Sequence, residues 1–395
     1  MAMNPKAPPS QPGPPPPLKV LLFSIGSIGD TVMSVPAIRF LKTHFGPQTS
    51  FSMLLDKQEG PVASGSEVIQ ALDPAVTFIE YPFTRRLTGR IKTAAALWAV
   101  LRRGSYDAVV YLAPGQRGRL RVWCDRWFFR ACGIRKQLGF RAFPRKELHP
   151  VDGEARPGQV PSEAWWRLER LRRDGLDCAP NSLLAAPFLL PGVEESRKVQ
   201  TWLAEHRERP PKPLVAIAPG TKQPPNLWPL ERFIEIGRRL SQTGACELIV
   251  IGGPGEKAMG ERCLAAWGRG LDAAGAFSVA ESLALIHECT FLIGLDTGTT
   301  HLAAACGVPC VAIFSDKDNP GRWSPLGEHH IILRHRVPCG GCRLIAAPCP
   351  VAGHPCLEEI SVEEVWGAAE AMLQRTLCAT GPAGRGEPLS SQSPP

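Results

Sequence analysis

The chain has 395 residues, of which 44% are hydrophobic and 21% charged, a length and composition typical of a two-domain globular protein. No apolar run is long enough to predict a membrane-spanning helix, and no signal peptide is predicted, so we expect a cytoplasmic protein with 13 cysteines in a reducing compartment. The net charge of +8 fits either simple solubility or attraction to acidic partners. No nucleic-acid partner is expected, because we find neither a binding motif nor a basic run interleaved with aromatic residues.

The first half of the chain predicts one alternating series of strands and helices. Residues 1–17 form a Pro-rich tail that we expect to be disordered, and residues 18–180 form a first domain. Its predicted strands are 18–25, 49–55, 76–81, 107–112 and 136–141, and its predicted helices are 31–45, 88–103, 117–132 and 162–175. A linker is predicted at 181–195, where Pro, Ala and Leu occur without clear periodicity.

The pattern then restarts and predicts a second domain over residues 196–378, followed by a disordered tail at 379–395. Its predicted strands are 213–220, 246–253, 291–295 and 309–314, and its predicted helices are 193–207, 229–242, 255–267, 280–288, 298–306 and 361–377. Alternating strands and helices predict an α/β fold with two mostly parallel, doubly wound sheets. Ligands in such folds bind outside the carboxyl ends of the strands, so we expect a site in the cleft between the domains.

The stretch GSIGD, residues 26–30, joins the first predicted strand to the first predicted helix. Gly26 and Gly29 permit the backbone conformations and close approach that such a turn needs. Asp30 then stands at the start of a helix and faces the predicted cleft. Two interpretations stay open for Asp30: a helix cap that accepts backbone N–H groups, or a general base that takes a proton from an incoming nucleophile.

The stretch LDTGTTH, residues 295–301, ends a predicted strand and opens a predicted helix. The first turn of a helix carries unpaired N–H groups and the positive end of its dipole, and phosphate binds readily there. Groups in this turn that suit a phosphate are Gly298, the hydroxyls of Thr297, Thr299 and Thr300, and the ring of His301. The pattern favours a diphosphate site over an ordinary capped helix.

Two further loops follow strands of the second domain. Thr221 and Lys222 could reach the same phosphates, although an ordinary surface loop is the alternative. Glu256 follows the next strand and could accept hydrogen bonds from ribose hydroxyls, or could simply place negative charge at a helix start. Together the three loops predict a nucleotide-diphosphate site, with a carboxylate across the cleft. That combination suits transfer of a group from a nucleotide to a hydroxyl.

The motifs GSIGDTVMSVPAIRFLK and LDTGTTHLAAACGVPCVAIFS resemble those of glycosyltransferase family nine, the bacterial heptosyltransferases with a GT-B fold, and the match spans roughly residues 18–375. That family transfers heptose from ADP-heptose to lipopolysaccharide core sugars, with inversion and without a metal. The resemblance implies that Asp30 is the general base and that the donor is bound by Thr221, Glu256, Asp296, Thr297, Gly298 and His301. One position departs from the pattern, because Asn226 stands where the family usually has a Lys. Lys222 is the residue that we expect to substitute for it.

Four cysteines, Cys339, Cys342, Cys349 and Cys356, cluster within PCGGCRLIAAPCPVAGHPC. The spacing begins with a C-x2-C pair, which is common in metal sites, and thiolates favour zinc or iron. Members of the resembled family carry a similar cluster. A structural metal is therefore one interpretation, and free thiols in a loop are the other; no cofactor is expected for catalysis.

The sequence identifies the acceptor-binding residues less clearly than the donor-binding residues. Arg117 and Arg119 follow a strand of the first domain and could meet acceptor phosphates, or could be solvated surface charges. Arg85, Arg86 and Arg90 form another basic patch with the same two interpretations, and Gly29 is also assigned to the acceptor side.

We therefore expect an inverting glycosyltransferase of lipopolysaccharide biosynthesis that uses a nucleotide-diphosphate sugar, most simply ADP-heptose, and a glycan or glycolipid acceptor. Peripheral contact with the inner face of the cytoplasmic membrane is a further expectation. The alternatives are a catalytically idle nucleotide- or metal-binding protein, or a GT-B sugar-nucleotide epimerase.

Overall fold

The computed structural model describes residues 17–57, 65–82, 87–154, 156–345 and 347–379. Apart from Pro17 and Ala379, the predicted disordered tails lie outside these ranges, as do Arg85 and Arg86. In the described part of the chain, no helix combines the length and the apolar character needed to cross a bilayer.

A first sheet contains five parallel strands in the order β3-β2-β1-β4-β5. The strands are β1 (Lys19–Phe23), β2 (Ser50–Lys57), β3 (Thr77–Pro82), β4 (Ala108–Tyr111) and β5 (Lys136–Leu138). The helices of this half are α1 (Ile28–Val32), α2 (Val35–Phe45), α3 (Gly65–Leu72), α4 (Leu87–Gly104), α5 (Arg119–Ala131), α6 (Arg145–Leu148), α7 (Glu163–Arg173) and α8 (Pro180–Leu183). Strand β4 is buried along its whole length, as expected for a parallel strand covered on both faces.

A second sheet contains six parallel strands in the order β11-β10-β9-β6-β7-β8. The strands are β6 (Leu214–Ala218), β7 (Glu247–Val250), β8 (Leu271–Asp272), β9 (Phe291–Leu295), β10 (Cys310–Ile313) and β11 (Ile331–Leu333). The helices are α9 (Val193–His206), α10 (Leu230–Thr243), α11 (Lys257–Trp267), α12 (Val279–His287), α13 (Gly298–Ala305), α14 (Pro355–Glu358) and α15 (Val362–Ala379). The predicted α/β class with two parallel sheets is confirmed.

In both sheets the strand order reverses once, between β1 and β4 and between β6 and β9. Connections leaving the two strands at such a point run to opposite faces of the sheet, which opens a crevice at the carboxyl ends. The loop that leaves β1 leads into α1, which carries Asp30, and the loops with Thr221 and Asp296 leave β6 and β9. The topology therefore places Asp30, Thr221 and Asp296 at the two crevices, where ligands of such folds bind.

The structure differs from the predicted elements in a few places. The predicted helix 31–45 is two helices, α1 and α2, separated by a turn at Met33 and Ser34. Pro36 lies in the first turn of α2, a position that suits a residue without a backbone donor. The short elements β8, β11, α3, α6, α8 and α14 were not predicted, because segments this short give no clear periodicity.

Candidate active site between the two sheets

Asp30 is held at the start of α1 by one of its two carboxylate oxygens. Its Oδ2 accepts hydrogen bonds from the Ser27 N–H at 2.9 Å and from the Ser27 hydroxyl at 3.3 Å. Gly26, at φ +117°, lies so close to this carboxylate that a side chain there would collide with it. Asp30 is therefore not the N-cap residue of α1: Ser27 is the N-cap, and Asp30 closes a capping box with it through Oδ2. The other oxygen, Oδ1, takes no part in the capping box and lies 3.6 Å from Nη2 of Arg167.

The surroundings of Asp30 make its carboxylate more basic than an exposed one. Burial raises the pKa of Asp30, and the guanidinium of Arg167 and the N–H of Ser27 oppose that rise without cancelling it. The side chain keeps 16% of its surface exposed, so a small molecule in the cleft can still reach it. A carboxylate with a raised pKa and an accessible oxygen suits proton abstraction.

Arg167 belongs to a chain of buried charges that crosses between the two halves of the molecule. Arg167, Glu163 and Arg322 are fully buried, with Glu163 placed 3.7 Å from Arg167 and 3.0 Å from Arg322. Arg322 in turn lies 3.2 Å from Asp318, in the segment that follows β10. Asp30 is therefore connected by ion pairs to the second half of the chain.

Sequence reasoning missed this network. Glu163 and Arg167 are spaced i, i+4 on α7, a pattern that also fits an exposed helix face, and nothing in the sequence marks them as buried. The one sequence signal that could have indicated their burial is that their helix is rich in both Trp and Arg. In the structure this helix packs between the first sheet and the segment around Arg322.

The start of α13 faces the same cleft from the second sheet. Thr297 is the N-cap residue, but no described side chain caps the helix, and the Thr297 and Thr299 hydroxyls bond each other at 2.8 Å. The N–H groups of the first turn are thus open to a ligand. Thr300 does not contribute as predicted, because its hydroxyl is buried and donates to the Leu295 carbonyl at 2.6 Å.

Two glycines let α1 and α13 approach each other closely. A Cβ atom on Gly29 would lie 2.8 Å from Cδ2 of His301, and one on Gly298 would lie 3.0 Å from Cβ of Ile28. His301 is buried, with Nε2 at 3.7 Å from Oδ1 of Asp296, and its Nδ1 has no hydrogen-bond partner among the described residues. The contact brings Asp30 on α1 next to the open first turn of α13.

Asn226, the position that departs from the family pattern, ties two loops together. Its Nδ2 donates to the backbone oxygen of Asp296 at 2.9 Å and to Oδ2 of Asp296 at 3.2 Å, and its Oδ1 accepts from the Ser315 hydroxyl at 3.0 Å. Only 1% of Asn226 is exposed. The amide therefore serves as a buried connection between the loops after β6, β9 and β10.

The positive charge beside Asp296 comes from Lys317 instead. Burial acts to raise the pKa of Asp296. The His301 ring and the cations Lys317 and Arg334 outweigh it, so the pKa of Asp296 lies below its usual range. Lys317 is nearly buried and its ammonium donates to the Gln223 side chain. This lysine was not predicted, although it follows a predicted strand in the same way as the residues that were.

Lys222 lies with a different pair of carboxylates. Partial loss of hydration in the cleft lowers the pKa of Lys222, and the negative charges of Asp30 and Asp56 oppose that effect. Asp56 also accepts the Gly26 N–H at 2.8 Å. The structure thus places Lys222 towards the Asp30 side, whereas Lys317 occupies the Asp296 side.

The loops after β6 and β7, which carry Thr221 and Glu256, approach each other at Gly220. The Thr221 hydroxyl accepts the Gln223 N–H at 3.1 Å and so shapes its own turn. The Glu256 carboxylate accepts the Gly253 N–H and lies against Gly220, where a side chain would collide with it. Burial raises the pKa of Glu256. Its carboxylate thus lies beside the loop that follows β6.

The family model for glycosyltransferase family 9 (heptosyltransferase) matches residues 94–349. The chain belongs to glycosyltransferase family 9. Lipopolysaccharide heptosyltransferase 2 of Escherichia coli K12 is 25% identical over 332 residues, covering 80% of this chain and 88% of that protein. The Salmonella typhimurium protein of the same name is 26% identical over 160 residues, covering 38% of this chain and 45% of its own length.

Solved structures confirm the GT-B architecture with two Rossmann-like domains. The E. coli ADP-heptose lps heptosyltransferase II has a TM-score of 0.62 at 18% identity, covering 91% of this chain and 99% of that one. A family 9 glycosyltransferase from Veillonella parvula has a TM-score of 0.67 at 21% identity, covering 91% and 98%. At these identities the likeness shows the fold.

In this family 9 chain the two predicted acceptor arginines differ in their surroundings. Arg117 is paired with Asp125 at 2.6 Å and lies over the Phe23 ring, so its charge is already neutralised. Arg119 is exposed at the start of α5. The structure therefore leaves Arg119 freer than Arg117 to meet an acceptor.

The four cysteines lie in one region of the family 9 chain and differ in their exposure. Cys339 and Cys342 are exposed, Cys349 is half-buried and Cys356 is buried. Burial raises the pKa of Cys356 to about 11, with smaller contributions from the other three thiols. Among the described residues, no group of three or more His, Cys, Asp or Glu side chains is arranged to hold a metal ion.

Proposed function

We propose that the protein transfers a heptose from ADP-heptose to a hydroxyl of a lipopolysaccharide-core or related acceptor, with inversion at the anomeric carbon. Family membership supports glycosyl transfer as the reaction class. The heptose donor is proposed from the names of the relatives. The observation that carries the proposal is that α1, with Asp30, abuts the uncapped start of α13 across one cleft.

On the donor side, we assign the diphosphate to the first turn of α13. The N–H groups of Gly298 and Thr299 and the hydroxyl of Thr297 would bind phosphate oxygens, aided by the helix dipole. Lys317, Lys222 and His301 supply further positive charge or donors at its edge. Glu256 would accept hydrogen bonds from the ribose, as acidic residues do in related folds.

On the reacting side, Oδ1 of Asp30 takes the proton of the acceptor hydroxyl. The acceptor oxygen then forms a bond to C1 of the sugar on the face opposite the diphosphate. The bond between C1 and the phosphate oxygen breaks, and ADP leaves with the electron pair. The donors at the start of α13 and the charge of Lys317 stabilise the negative charge that develops on the leaving diphosphate.

The two predicted domains are assigned to different substrates. We assign acceptor binding to the domain predicted at 18–180, through Gly29 of α1 and through Arg119 with Arg117. We assign donor binding to the domain predicted at 196–378. Catalysis is proposed to need no cofactor. A structural zinc or iron at the cysteines stays a prediction, and no reaction step is assigned to it. The idle-protein and epimerase alternatives are not favoured by the family match.

Calorimetric titration of the purified protein with ADP, UDP, GDP and TDP tests the donor assignment. We expect clear preference for ADP. Preference for another nucleotide would retain the fold and the mechanism but would exclude ADP-heptose as donor. No binding of any of the four would contradict the proposed function and favour an idle protein.

A further inference from the structure

Helices α4 and α5 carry an exposed apolar stripe that the proposed reaction does not use. On α5, Leu120, Trp123 and Trp127 follow the spacing i, i+3, i+7 and are 75%, 58% and 53% exposed. On α4, Ile91 and Trp98 share one face and are also exposed. The Trp98 indole donates to the Ala131 carbonyl at 3.0 Å, which joins α4 to the last residue of α5. We call these five residues the tryptophan face.

The other side of the same helices accounts for their place in the fold. Leu101 of α4 and Val122 and Phe129 of α5 are buried in the core of the first sheet. The tryptophan face is therefore not needed to hold the helices on the sheet. Exposed apolar patches of this kind mark contact with another protein or with a membrane.

The charges around the tryptophan face are almost all positive. Exposed cations of the two helices are Arg90, Lys92, Arg102, Arg103, Arg119, Arg121, Arg126 and Arg130. Helix α4 carries no acidic residue, and the single acid of α5, Asp125, is neutralised by Arg117 at 2.6 Å. Arg102 lies 5.5 Å from the centre of the Trp98 ring, and Arg130 lies 5.9 Å from that of Trp127.

This composition corrects one sequence-based expectation. Helix α5 is a basic run interleaved with aromatic residues, which we had expected the chain to lack. Such a run suits either nucleic acid or an anionic membrane. Leu120 and Ile91 decide between them, because aliphatic side chains cannot stack on bases but enter the lipid interface readily.

We propose that the tryptophan face docks the protein onto an anionic phospholipid membrane surface. Trp rings and aliphatic side chains enter the interfacial region, where Trp is favoured, and the surrounding arginines and lysine meet anionic headgroups. The surface adjoins the cleft, because α5 begins directly after the loop in which Gln116 bonds Asp318 at 3.0 Å. A lipid-linked acceptor at the bilayer would thus lie near Asp30. This last step rests on the proposed function, whereas the docking itself does not.

Co-sedimentation of the full chain with vesicles tests the docking. Vesicles of phosphatidylcholine alone are compared with vesicles that also contain phosphatidylglycerol, at low and high salt. We expect binding to the anionic vesicles, weakened by salt, and about tenfold weaker binding by the Trp123→Ser/Trp127→Ser variant. Val193→Ser is the matched control, because Val193 is 83% exposed and lies outside the face. It should bind vesicles like the wild type.

Three results would overturn the docking proposal. The first is no binding of the wild type to either kind of vesicle. The second is equal binding by the wild type and the double variant. The third is a different occupant: a dimer in light scattering that the double variant abolishes, or a labelled RNA oligonucleotide that displaces the vesicles. ADP titration of the double variant separates the docking proposal from the proposed function. Loss of vesicle binding with intact ADP binding concerns docking alone, and loss of ADP binding with intact vesicle binding concerns the proposed function alone.

Discussion

The crevices of the two sheets control charge by opposite means. At the first sheet, a line of buried side-chain ion pairs, from Asp30 through Arg167 and Glu163 to Arg322, sets the state of one carboxylate. At the second sheet, the backbone N–H groups and hydroxyls at the start of α13 present partial positive charge, and the cations Lys317 and Arg334 act on the neighbouring Asp296.

The difference follows from what each crevice has to do. A base must change its protonation state during the reaction, so its pKa has to be adjusted by nearby full charges and burial. A diphosphate site must bind a charge that persists, so fixed dipoles suffice and need no protonation change. Substitutions in the first crevice should therefore alter turnover, and substitutions in the second should alter nucleotide affinity.

The largest effect on turnover is expected for Asp30→Asn in the first crevice. Loss of the base should lower kcat about 10²–10⁴-fold, whereas the Kd for ADP should stay unchanged. Asp56→Asn is the matched control, because it removes a neighbouring carboxylate that is not the proposed base. Activity assays together with ADP calorimetry measure both quantities.

The fold of the Asp30→Asn variant should be preserved. The pKa of Asp30 is raised in the folded state, so the ionised carboxylate lowers the stability of the fold at pH values above that pKa, including neutral pH. The neutral amide of Asn does not carry this cost and should therefore not lower the melting temperature. Full activity in a folded Asp30→Asn variant would refute the assignment of the base. Equal losses in the Asp56→Asn control would show that the cleft only needs negative charge.

The next effect concerns Arg167 and Glu163 as positioning residues that act through Asp30. Arg167 lowers the pKa of Asp30 and Glu163 raises it, so Arg167→Met should move the acid limb of kcat/KM to higher pH and Glu163→Gln should move it to lower pH. Breaking the buried pair in Arg167→Met should also lower the free energy of unfolding by about 3–5 kcal/mol. The pH profiles and thermal unfolding measure these effects.

The diagnostic result is that the acid limb of kcat/KM shifts in opposite directions in Arg167→Met and Glu163→Gln. A purely structural network would lower activity in both variants and leave the position of the acid limb unchanged. Glu163→Gln keeps the shape of the side chain, so it should fold even if Arg167→Met does not. Arg167→Lys keeps the positive charge and should restore the acid limb towards its wild-type position.

Most of the fold could be predicted from the sequence because the parallel strands are continuous apolar runs. The strands β1, β4, β6 and β9, which flank both crevices, are buried nearly throughout and were all predicted. The division of the predicted helix 31–45 into α1 and α2 was not, since Met33 and Ser34 do not interrupt the apolar pattern. Short elements such as β8 depend on neighbours that the local sequence does not reveal.

The site could be predicted only where strand ends carry unusual residues. Asp30 and the stretch from Asp296 to His301 stand out in this way, and the structure brings their helices together. Glu163 and Arg322 could not be found, because they are 159 positions apart in the chain and look like ordinary surface charges. Burial that depends on long-range packing leaves no mark on the local pattern.

The smallest predicted effect is a loss of ADP affinity in a lysine variant, and it tests whether the phosphates bind on the Asp296 side or on the Asp30 side of the cleft. Lys317→Gln removes the cation that acts on Asp296, so the Kd for ADP should rise about tenfold, as expected for the loss of one charge-assisted hydrogen bond, while kcat at saturating donor changes little. Lys222→Gln is the comparison variant and should weaken ADP binding less, since Lys222 lies beside Asp30 and Asp56. If Lys222→Gln weakened ADP binding and Lys317→Gln did not, the phosphates would lie on the Asp30 side of the cleft. The missing family lysine would then be replaced by Lys222, as first expected from the sequence, and Lys317 would serve only to hold the loop with Gln223.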